Sequence, residues 1–325
     1  MNEIKLNILP MKSGDCIHLR FGVEYNWHNI VIDSGPAGCA GKFRRLLEGI
    51  EERGEVIDLL CFTHIDNDHI KGAERVLSSP TFDTDIIREI WMNLPSEKVA
   101  VMEGLGAYEL ATVESACGLW CAITEQSLPC KTHVIQGDRI KIGDADIQVL
   151  LPTQTRLSHL KQHWDEEMIK LYAEGKYLSL GGWKEDDSPI NGSSITLLVS
   201  IDDKKLLFAG DAFPGDLETI CRENVKEEIH VMKLPHHGSG RNITLQMLEA
   251  AKCRCFLIST EQNAYRPARE TMELLSKYGK TCGGINVYGN YRWPKFEERL
   301  DGMEIVALED GDNPENVEGI VIFSE

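Results

Sequence analysis

The chain has 325 residues, 42% of them hydrophobic and 26% charged, which is the composition of a globular protein that can bury a sizeable core. Its formal net charge of −18 argues against a broad DNA-binding surface, although bound divalent cations would offset that charge locally. The chain contains no membrane-length apolar run, no export signal and no zinc-ribbon cysteine spacing. We therefore expect one cytoplasmic domain over residues 1–325, with reduced thiols and no membrane partner.

The first part of the chain predicts strands and helices in alternation. Alternating polar and apolar residues indicate strands, an apolar run indicates a buried strand, and a 3.6-residue apolar period indicates a helix. The Gly14-Asp15 pair marks a turn after the first strand. The predicted strands are residues 3–10, 16–22, 29–35 and 56–62, and the predicted helices are residues 41–53 and a segment from residue 71.

Four metal-binding side chains lie between the fourth strand and the next helix. His64, Asp66, Asp68 and His69 occupy six consecutive positions there. A single aspartate at this point would need no explanation beyond capping the helix. Two imidazoles and two carboxylates at this spacing instead indicate a site for a divalent cation.

His64-x-Asp66-x-Asp68-His69 resembles the His-x-His-x-Asp-His signature of the metallo-β-lactamase superfamily, with Asp66 replacing the middle histidine. This form resembles a branch that includes the nuclease-like domain of the competence protein ComEC and the phosphorylcholine esterases. The resemblance implies an α/β fold, the αβ/βα sandwich, in which two mixed β-sheets carry helices on their outer faces. It also implies that Asp33 supports the metal loop from behind, whereas an Asx turn is the alternative role for Asp33.

The middle of the chain predicts a helical segment, two strands and an insertion. The helical segment covers residues 97–127, a short strand covers residues 86–92, and two strands lie within residues 137–152. Residues 153–190 form an insertion between strands and are a candidate lid or wall of the substrate site. Three further histidines are better explained as surface residues than as ligands: His133, His159 and His163.

Two later motifs resemble the ComEC-like branch. Residues 190–199 predict a strand. Asn191 is the residue nearest in sequence to the position where other members have a histidine ligand, so the cation site that this histidine serves would be weaker here or would use a water. Asn191 is therefore a candidate substrate contact.

Asp211 follows the apolar strand 205–209 and resembles the carboxylate that bridges two cations about 3.5–4 Å apart. A simple turn residue is the alternative role for Asp211.

The His236-His237 pair resembles the Pro-His-His-Gly-Ser run of the same branch. Because side chains alternate along an extended chain, we expect the two imidazoles to differ in role. His237 is predicted to be the ligand, and His236 the proton donor or phosphate contact.

Arg266 replaces a family histidine and is a candidate for binding an anionic oxygen, or else for pairing with a surface carboxylate. The last predicted elements are helices 243–251 and 268–279, strand 255–260 and closing strands within 284–325.

These residues together imply a metal-dependent hydrolase with two divalent cations, Zn²⁺ or Mn²⁺. A metal-bound water would lose its proton near neutral pH and attack the substrate, with Asp68 and His236 as the catalytic residues. The carboxylate at Asp66 favours phosphoryl chemistry, so we predict a phosphodiesterase or nuclease that acts on an anionic small molecule or a nucleic acid. The alternatives are hydrolysis of a non-phosphate ester, lactone or thioester, and a non-catalytic metal-binding scaffold. The predicted metal ligands are His64, Asp66, Asp68, His69, Asp211 and His237.

Overall fold

A computed structural model describes residues 2–94, 109–162, 186, 188–263, 265–296, 300–308 and 320–323, with backbone alone for 109–114 and 320–323. In chain order the strands are β1 (Glu3–Ile8), β2 (Ile17–Val23), β3 (Asn26–Ile32), β4 (Leu59–Cys61), β5 (Ile90–Trp91), β6 (Cys130–Lys131), β7 (Arg139–Ile142), β8 (Ala145–Leu151), β9 (Thr196–Ile201), β10 (Lys204–Phe208), β11 (Val231–Lys233), β12 (Cys255–Ile258), β13 (Ile285–Gly289), β14 (Met303–Ala307) and β15 (Ile320–Phe323). The helices are α1 (Ala40–Glu52), α2 (Asn67–Leu77), α3 (Glu109–Glu125), α4 (residues 154–162), α5 (Pro189–Gly192), α6 (Pro214–Asn224), α7 (Leu245–Ala251) and α8 (Arg269–Cys282).

The strands form two mixed sheets of similar design. The first sheet has the order β15-β1-β2-β3-β4-β5-β6, antiparallel as far as β3 and parallel from there. The second has the order β14-β13-β12-β11-β10-β9-β8-β7, parallel from β14 to β10 and antiparallel beyond. Loops that follow parallel strands meet at one edge of such sheets, where binding sites form.

Three apolar layers hold these elements together. The inward residues of β1 alternate with its polar residues, so Ile4, Leu6 and Ile8 pack between the two sheets against residues such as Leu206 and Phe208 of β10. Helices α1 to α3 cover the outer face of the first sheet, and α6 to α8 cover that of the second. The predicted sandwich of two mixed sheets with helices outside is confirmed.

Several predicted boundaries differ from the observed ones. The strand predicted over residues 86–92 is only Ile90–Trp91, with an isolated bridge at Ile87. Residues 190–199 were predicted to be one strand, but their first part is the helical turn α5. Pro189 explains the difference, because proline suits a first helical turn and Ser188 accepts a hydrogen bond from the Asn191 backbone N–H.

Large parts of the predicted helix at 97–127 and of the insertion at 153–190 lie outside the described residues. Within them the structure describes α3 from Glu109, helix α4, Asp186 and residues 188–190. His163 is not among the described residues, and a lid or wall role for the insertion stays a prediction. Within the described part of the chain, no helix combines the length and apolarity that a membrane crossing requires.

Candidate metal centre

The loop between β4 and α2 carries the first ligand cluster. Asp66 stands at the N-cap position of α2, but its carboxylate makes no capping hydrogen bond, so its side chain is available to a cation. The loop is packed tightly from behind, because a Cβ on Gly72 would come within 2.1 Å of the Ser34 carbonyl oxygen. Ser34 also donates its backbone N–H and its hydroxyl to the His69 carbonyl oxygen, at 2.7 and 2.8 Å. These contacts fix where α2 begins.

Asp33 orients two histidines of this loop, as predicted. Its Oδ2 accepts hydrogen bonds from His69 Nδ1 and from Thr63 Oγ1, both at 2.8 Å. The same Thr63 hydroxyl lies 3.0 Å from His64 Nδ1 and can accept its proton. Each Nδ1 therefore serves as a donor, which leaves both Nε2 lone pairs free.

Asp211 is the point on which the imidazoles converge. Its Oδ2 lies 3.8 Å from His64 Nε2 and 3.7 Å from His69 Nε2. The same oxygen lies 3.7 Å from His236 Nε2 and 3.9 Å from His237 Nε2. Residues from both sheets thus surround one carboxylate, which is the place predicted for a bridging group.

The His236-His237 pair does not lie on an extended chain, contrary to the prediction. His236, His237 and Gly238 all have positive φ angles, of 49°, 54° and 76°. In such a left-handed turn neighbouring side chains do not point in opposite directions, so both imidazoles reach Asp211. Alternation along a strand therefore cannot assign their roles.

The surroundings of the two histidines nevertheless differ. His237 has a fully buried side chain, and its Nδ1 lies 3.0 Å from the Ser259 carbonyl oxygen and 3.3 Å from Asp15 Oδ1. Its Nε2 lies 3.4 Å from Asp68 Oδ2. The Nδ1 proton is thereby engaged, and Nε2 faces two carboxylates that can share a cation with it.

His236 has a side chain that is 19% exposed and a polar cage around its Nδ1. Asp186 Oδ2 lies 3.0 Å from this Nδ1, and it also accepts hydrogen bonds from Asn191 Nδ2 and Asn242 Nδ2, each at 2.8 Å. On the other side of the ring, the Arg266 guanidinium is in contact with His236 Nε2. Arg266 therefore lies at the centre itself, and among the described residues no surface carboxylate pairs with it.

The electrostatics of the cluster match its geometry. Burial alone would raise the pKa values of Asp68 and Asp211, but the surrounding histidines hold both well below their usual range. Burial alone would lower the pKa values of His69 and His237, but neighbouring carboxylates raise them. For Asp186, burial is outweighed by hydrogen bonds from His236, Asn191 and Asn242, which lower its pKa to about 2. These groups prefer to be charged opposite one another.

A divalent cation suits these residues, because several buried ligand atoms have no other partner. Ligand atoms of Asp15, His69, Asp211 and His237 all lie within 4.8 Å of one another. Among the described residues, four buried atoms of the predicted ligands make no hydrogen bond: Asp211 Oδ1 and the Nε2 atoms of His64, His69 and His237. Unpaired buried polar atoms are costly, and in this arrangement they have the chemistry of ligands.

The structure also shows site residues that the sequence did not single out. Asp15 was recognised only as part of a turn, yet it joins the cluster, and Lys233 forms a buried ion pair with it. Asp186 and Asn242 were not predicted to reach His236. The Gly14-Asp15 pair after the first predicted strand was the one available signal for Asp15, whereas Asp186 stood in an acidic run with no distinguishing pattern. His133 and His159 are exposed, as expected for surface residues.

Comparisons with known proteins give one family and several structures of similar shape. A family model described as the metallo-beta-lactamase superfamily matches residues 23–131, about a third of the chain, and no curated protein matches the chain. The metallo-beta-lactamase fold protein YhfI from Bacillus subtilis is 9% identical, covering 96% of this chain and 98% of its own, with a TM-score of 0.45. A diphosphatase from the PhnP family is 10% identical over 94% of both chains, with a TM-score of 0.41. CmlA, a diiron beta-hydroxylase from Streptomyces venezuelae, is 12% identical over 88% of this chain and 52% of its own, with a TM-score of 0.46.

The family match covers β3, β4 and the ligand loop, which is the part of the chain where the signature residues stand. The two mixed sheets, their outer helices and the candidate metal cluster extend the same architecture over the second half. The chain has the metallo-β-lactamase fold, and its residues 23–131 are similar to the metallo-β-lactamase superfamily.

Proposed function

We propose that this protein is a metal-dependent hydrolase of phosphate esters, with phosphodiesters, including those of nucleic acids, as its favoured substrates. The observation that carries the proposal is the convergence of four histidine Nε2 atoms on Asp211 Oδ2 at 3.7–3.9 Å. A packing role does not account for it, because each unpaired buried polar atom costs about 1–3 kcal/mol. Two cations sharing Asp211 would use the Nε2 atoms of His64, His69 and His237, which are buried without a hydrogen bond among the described residues, and leave His236 Nε2 to the substrate.

The two cation positions have different donor sets. His64, Asp66 and Asp211 would hold one cation, and Asp68, His69, His237 and Asp211 would hold the other. The first set is rich in oxygen, which makes Mn²⁺ as suitable as Zn²⁺. When bound, such cations supply Lewis acidity and lower the pKa of a coordinated water to about 7.

The chain's own residues would perform the remaining tasks. Asp68 stays ionised because of its histidine neighbours, so it can accept a hydrogen bond from the attacking water and orient it. His236 is partly exposed, and its Nδ1 is fixed by Asp186, so its Nε2 can bind or protonate the departing oxygen.

Arg266 supports an anionic substrate. Its guanidinium contacts His236 Nε2, so a phosphoryl oxygen bound beside this imidazole would also be within reach of Arg266. A guanidinium binds two such oxygens at once, which an ammonium group cannot do. Asn191 belongs to the same wall, where its amide nitrogen lies 3.4 Å from His236 Nδ1, and its side chain would be a further contact for the substrate.

The test is a substrate panel with the purified protein and either Mn²⁺ or Zn²⁺. The panel contains bis(p-nitrophenyl) phosphate, p-nitrophenyl acetate and nitrocefin, with Asp68→Ala as the inactive control. We expect turnover of the phosphodiester and its loss in Asp68→Ala. Turnover of the acetate alone would instead support an esterase. Bound metal without turnover, unchanged by Asp68→Ala, would support a non-catalytic scaffold.

A further inference from the structure

A buried ion pair between the two sheets lies beside His237 of the candidate metal centre. Lys233 Nζ donates to Asp15 Oδ2 at 2.8 Å, and the two side chains are 1% and 2% exposed. Asp15 comes from the loop between β1 and β2, and Lys233 from the end of β11. Lys233 is the one lysine or arginine that is buried in the described part of the chain.

The pair is directed at His237. Asp15 Oδ1 lies 3.3 Å from His237 Nδ1, while Asp15 Oδ2 is occupied by Lys233. Asp15 Oδ1 has no hydrogen bond of good geometry among the described residues, although it is buried. His237 Nδ1 donates to the Ser259 carbonyl oxygen at 3.0 Å, and the negative charge of Asp15 beside the same nitrogen further favours a proton there, so Nε2 stays directed at the cation site.

The arrangement resembles the one behind His69. There Asp33 accepts the Nδ1 proton and is held in turn by Thr63. Behind His237 the supporting group carries a full positive charge, because Lys233 replaces the threonine hydroxyl. The buried ammonium group of Lys233 would repel a cation bound nearby, so it does not contribute to cation binding. Its use is to balance Asp15 while no cation is bound.

We infer that Asp15 and Lys233 are positioning residues with opposite effects on the metal centre. Asp15 orients His237 and strengthens cation binding, whereas Lys233 weakens cation binding but stabilises the protein without a cation. The inference rests on the proposed metal-dependent function, because it concerns the same centre.

The experiment compares Asp15→Asn, Lys233→Met and the double variant with the natural protein. The matched control is Lys131→Met, because Lys131 and Asp138 form a Lys–Asp pair of the same 2.8 Å length with partly exposed side chains. Zn²⁺ affinity is measured by competition with a chromophoric chelator, and thermal unfolding is followed with EDTA and with Zn²⁺.

We expect Asp15→Asn to lower Zn²⁺ affinity about 10- to 100-fold, the usual effect of losing a group that orients a ligand. Lys233→Met should bind Zn²⁺ at least as tightly as the natural protein, unfold at a lower temperature in EDTA, and gain more stability from Zn²⁺. Lys131→Met should change neither property.

Two results would overturn the inference: unchanged Zn²⁺ affinity in Asp15→Asn, or reduced affinity in Lys233→Met of the size seen in Asp15→Asn. The second result would show that Lys233 supports cation binding together with Asp15 instead of opposing it. The double variant should bind Zn²⁺ at least as tightly as Asp15→Asn, because it lacks the ammonium group. Weaker binding in the double variant would overturn the role of Lys233, even if Lys233→Met does not fold. Absence of Zn²⁺ and Mn²⁺ binding by the natural protein would instead contradict the proposed function.

Discussion

The candidate metal centre has two walls that differ in the solvent exposure of their histidines and in the contacts of the histidine ring nitrogens. The inner wall consists of His64, His69 and His237, whose side chains are fully buried. The outer wall consists of His236, Asp186, Asn191, Asn242 and Arg266, and the His236 side chain is 19% exposed. Each inner imidazole directs its Nδ1 to an oxygen and leaves Nε2 without a partner, whereas His236 Nε2 meets Arg266.

This difference indicates a division of labour. Dry imidazoles with fixed tautomers are suited to holding cations permanently. A partly exposed imidazole between a carboxylate and a guanidinium is suited to a transient partner such as a substrate oxygen. Changes in the inner wall should therefore affect metal content, and changes in the outer wall should affect turnover.

The largest expected effect comes from Asp211, which both proposed cation positions would share. Asp211→Asn should remove most bound metal and lower kcat/KM about 10,000-fold, because both cations lose a ligand. A factor of this size corresponds to about 5.5 kcal/mol of lost transition-state stabilisation. Metal content by elemental analysis and phosphodiester turnover measure the two effects. Retention of both cations in this variant would contradict a bridging role.

The next prediction separates the adjacent histidines. His237→Gln should lower Zn²⁺ affinity at least about 100-fold, because it removes a predicted ligand from the inner wall. His236→Gln should keep the metal and lower kcat about 100- to 1,000-fold, as expected for a lost proton donor. Elemental analysis of both variants beside their kcat values tests the assignment, and the reverse pattern would exchange the two roles.

A smaller effect is expected at Arg266. Arg266→Lys keeps the charge but loses the planar pair of donors, so KM for a phosphodiester should rise about tenfold with unchanged metal content. Arg269→Lys is the matched control, because Arg269 is exposed and pairs with Glu273 on the same helix. An equal effect in the two variants would exclude a specific contact.

Asp186 should matter less than His236 itself. Asp186→Asn replaces one charged hydrogen bond to His236 Nδ1 by a neutral one, so kcat should fall about 3- to 10-fold without loss of metal. Kinetics and elemental analysis again provide the measurement. A loss of metal here would place His236 among the ligands.

The smallest effect concerns stability against pH. In the metal-free protein with EDTA, His69 and His237 have raised pKa values, so their protonation stabilises the folded state below the ordinary pKa of 6.5. This contribution is lost as the pH rises through the pKa values of the folded state. The depressed pKa values of Asp68 and Asp211 stabilise it above their ordinary value of 3.8. With EDTA the unfolding temperature should therefore fall by a few degrees above pH 6.5.

With Zn²⁺ the same range should show no such fall, because the cation replaces the imidazole protons. Thermal unfolding from pH 4 to 9, with and without Zn²⁺, tests both statements. A fall of equal size in the two series would mean that these histidines are not the groups responsible.

The sequence predicted the inner wall better than the outer wall, for a physical reason. His64 and His69 follow one strand within six residues, so local spacing brings them together, and His237 stands in a recognisable Pro-His-His-Gly-Ser motif. The contacts of His236 depend on Asp186, which is 50 residues away in the chain, and on Arg266, which is 30 away. Such contacts leave no periodic signal. The positive φ angles at His236 and His237 are likewise unusual for non-glycine residues, so the expectation of an extended chain was reasonable but wrong.

The Lys233–Asp15 contact spans 218 positions, which has a consequence for synthesis on the ribosome. The chain emerges from its N-terminus at about 5–20 residues per second, so strands β1 to β6 of the first sheet are available several seconds before Lys233, the charge partner of Asp15. Until then Asp15 needs solvent, and the early loops cannot close around it. Full cation uptake should therefore coincide with the end of folding, and a cation-loaded molecule would be a mature one.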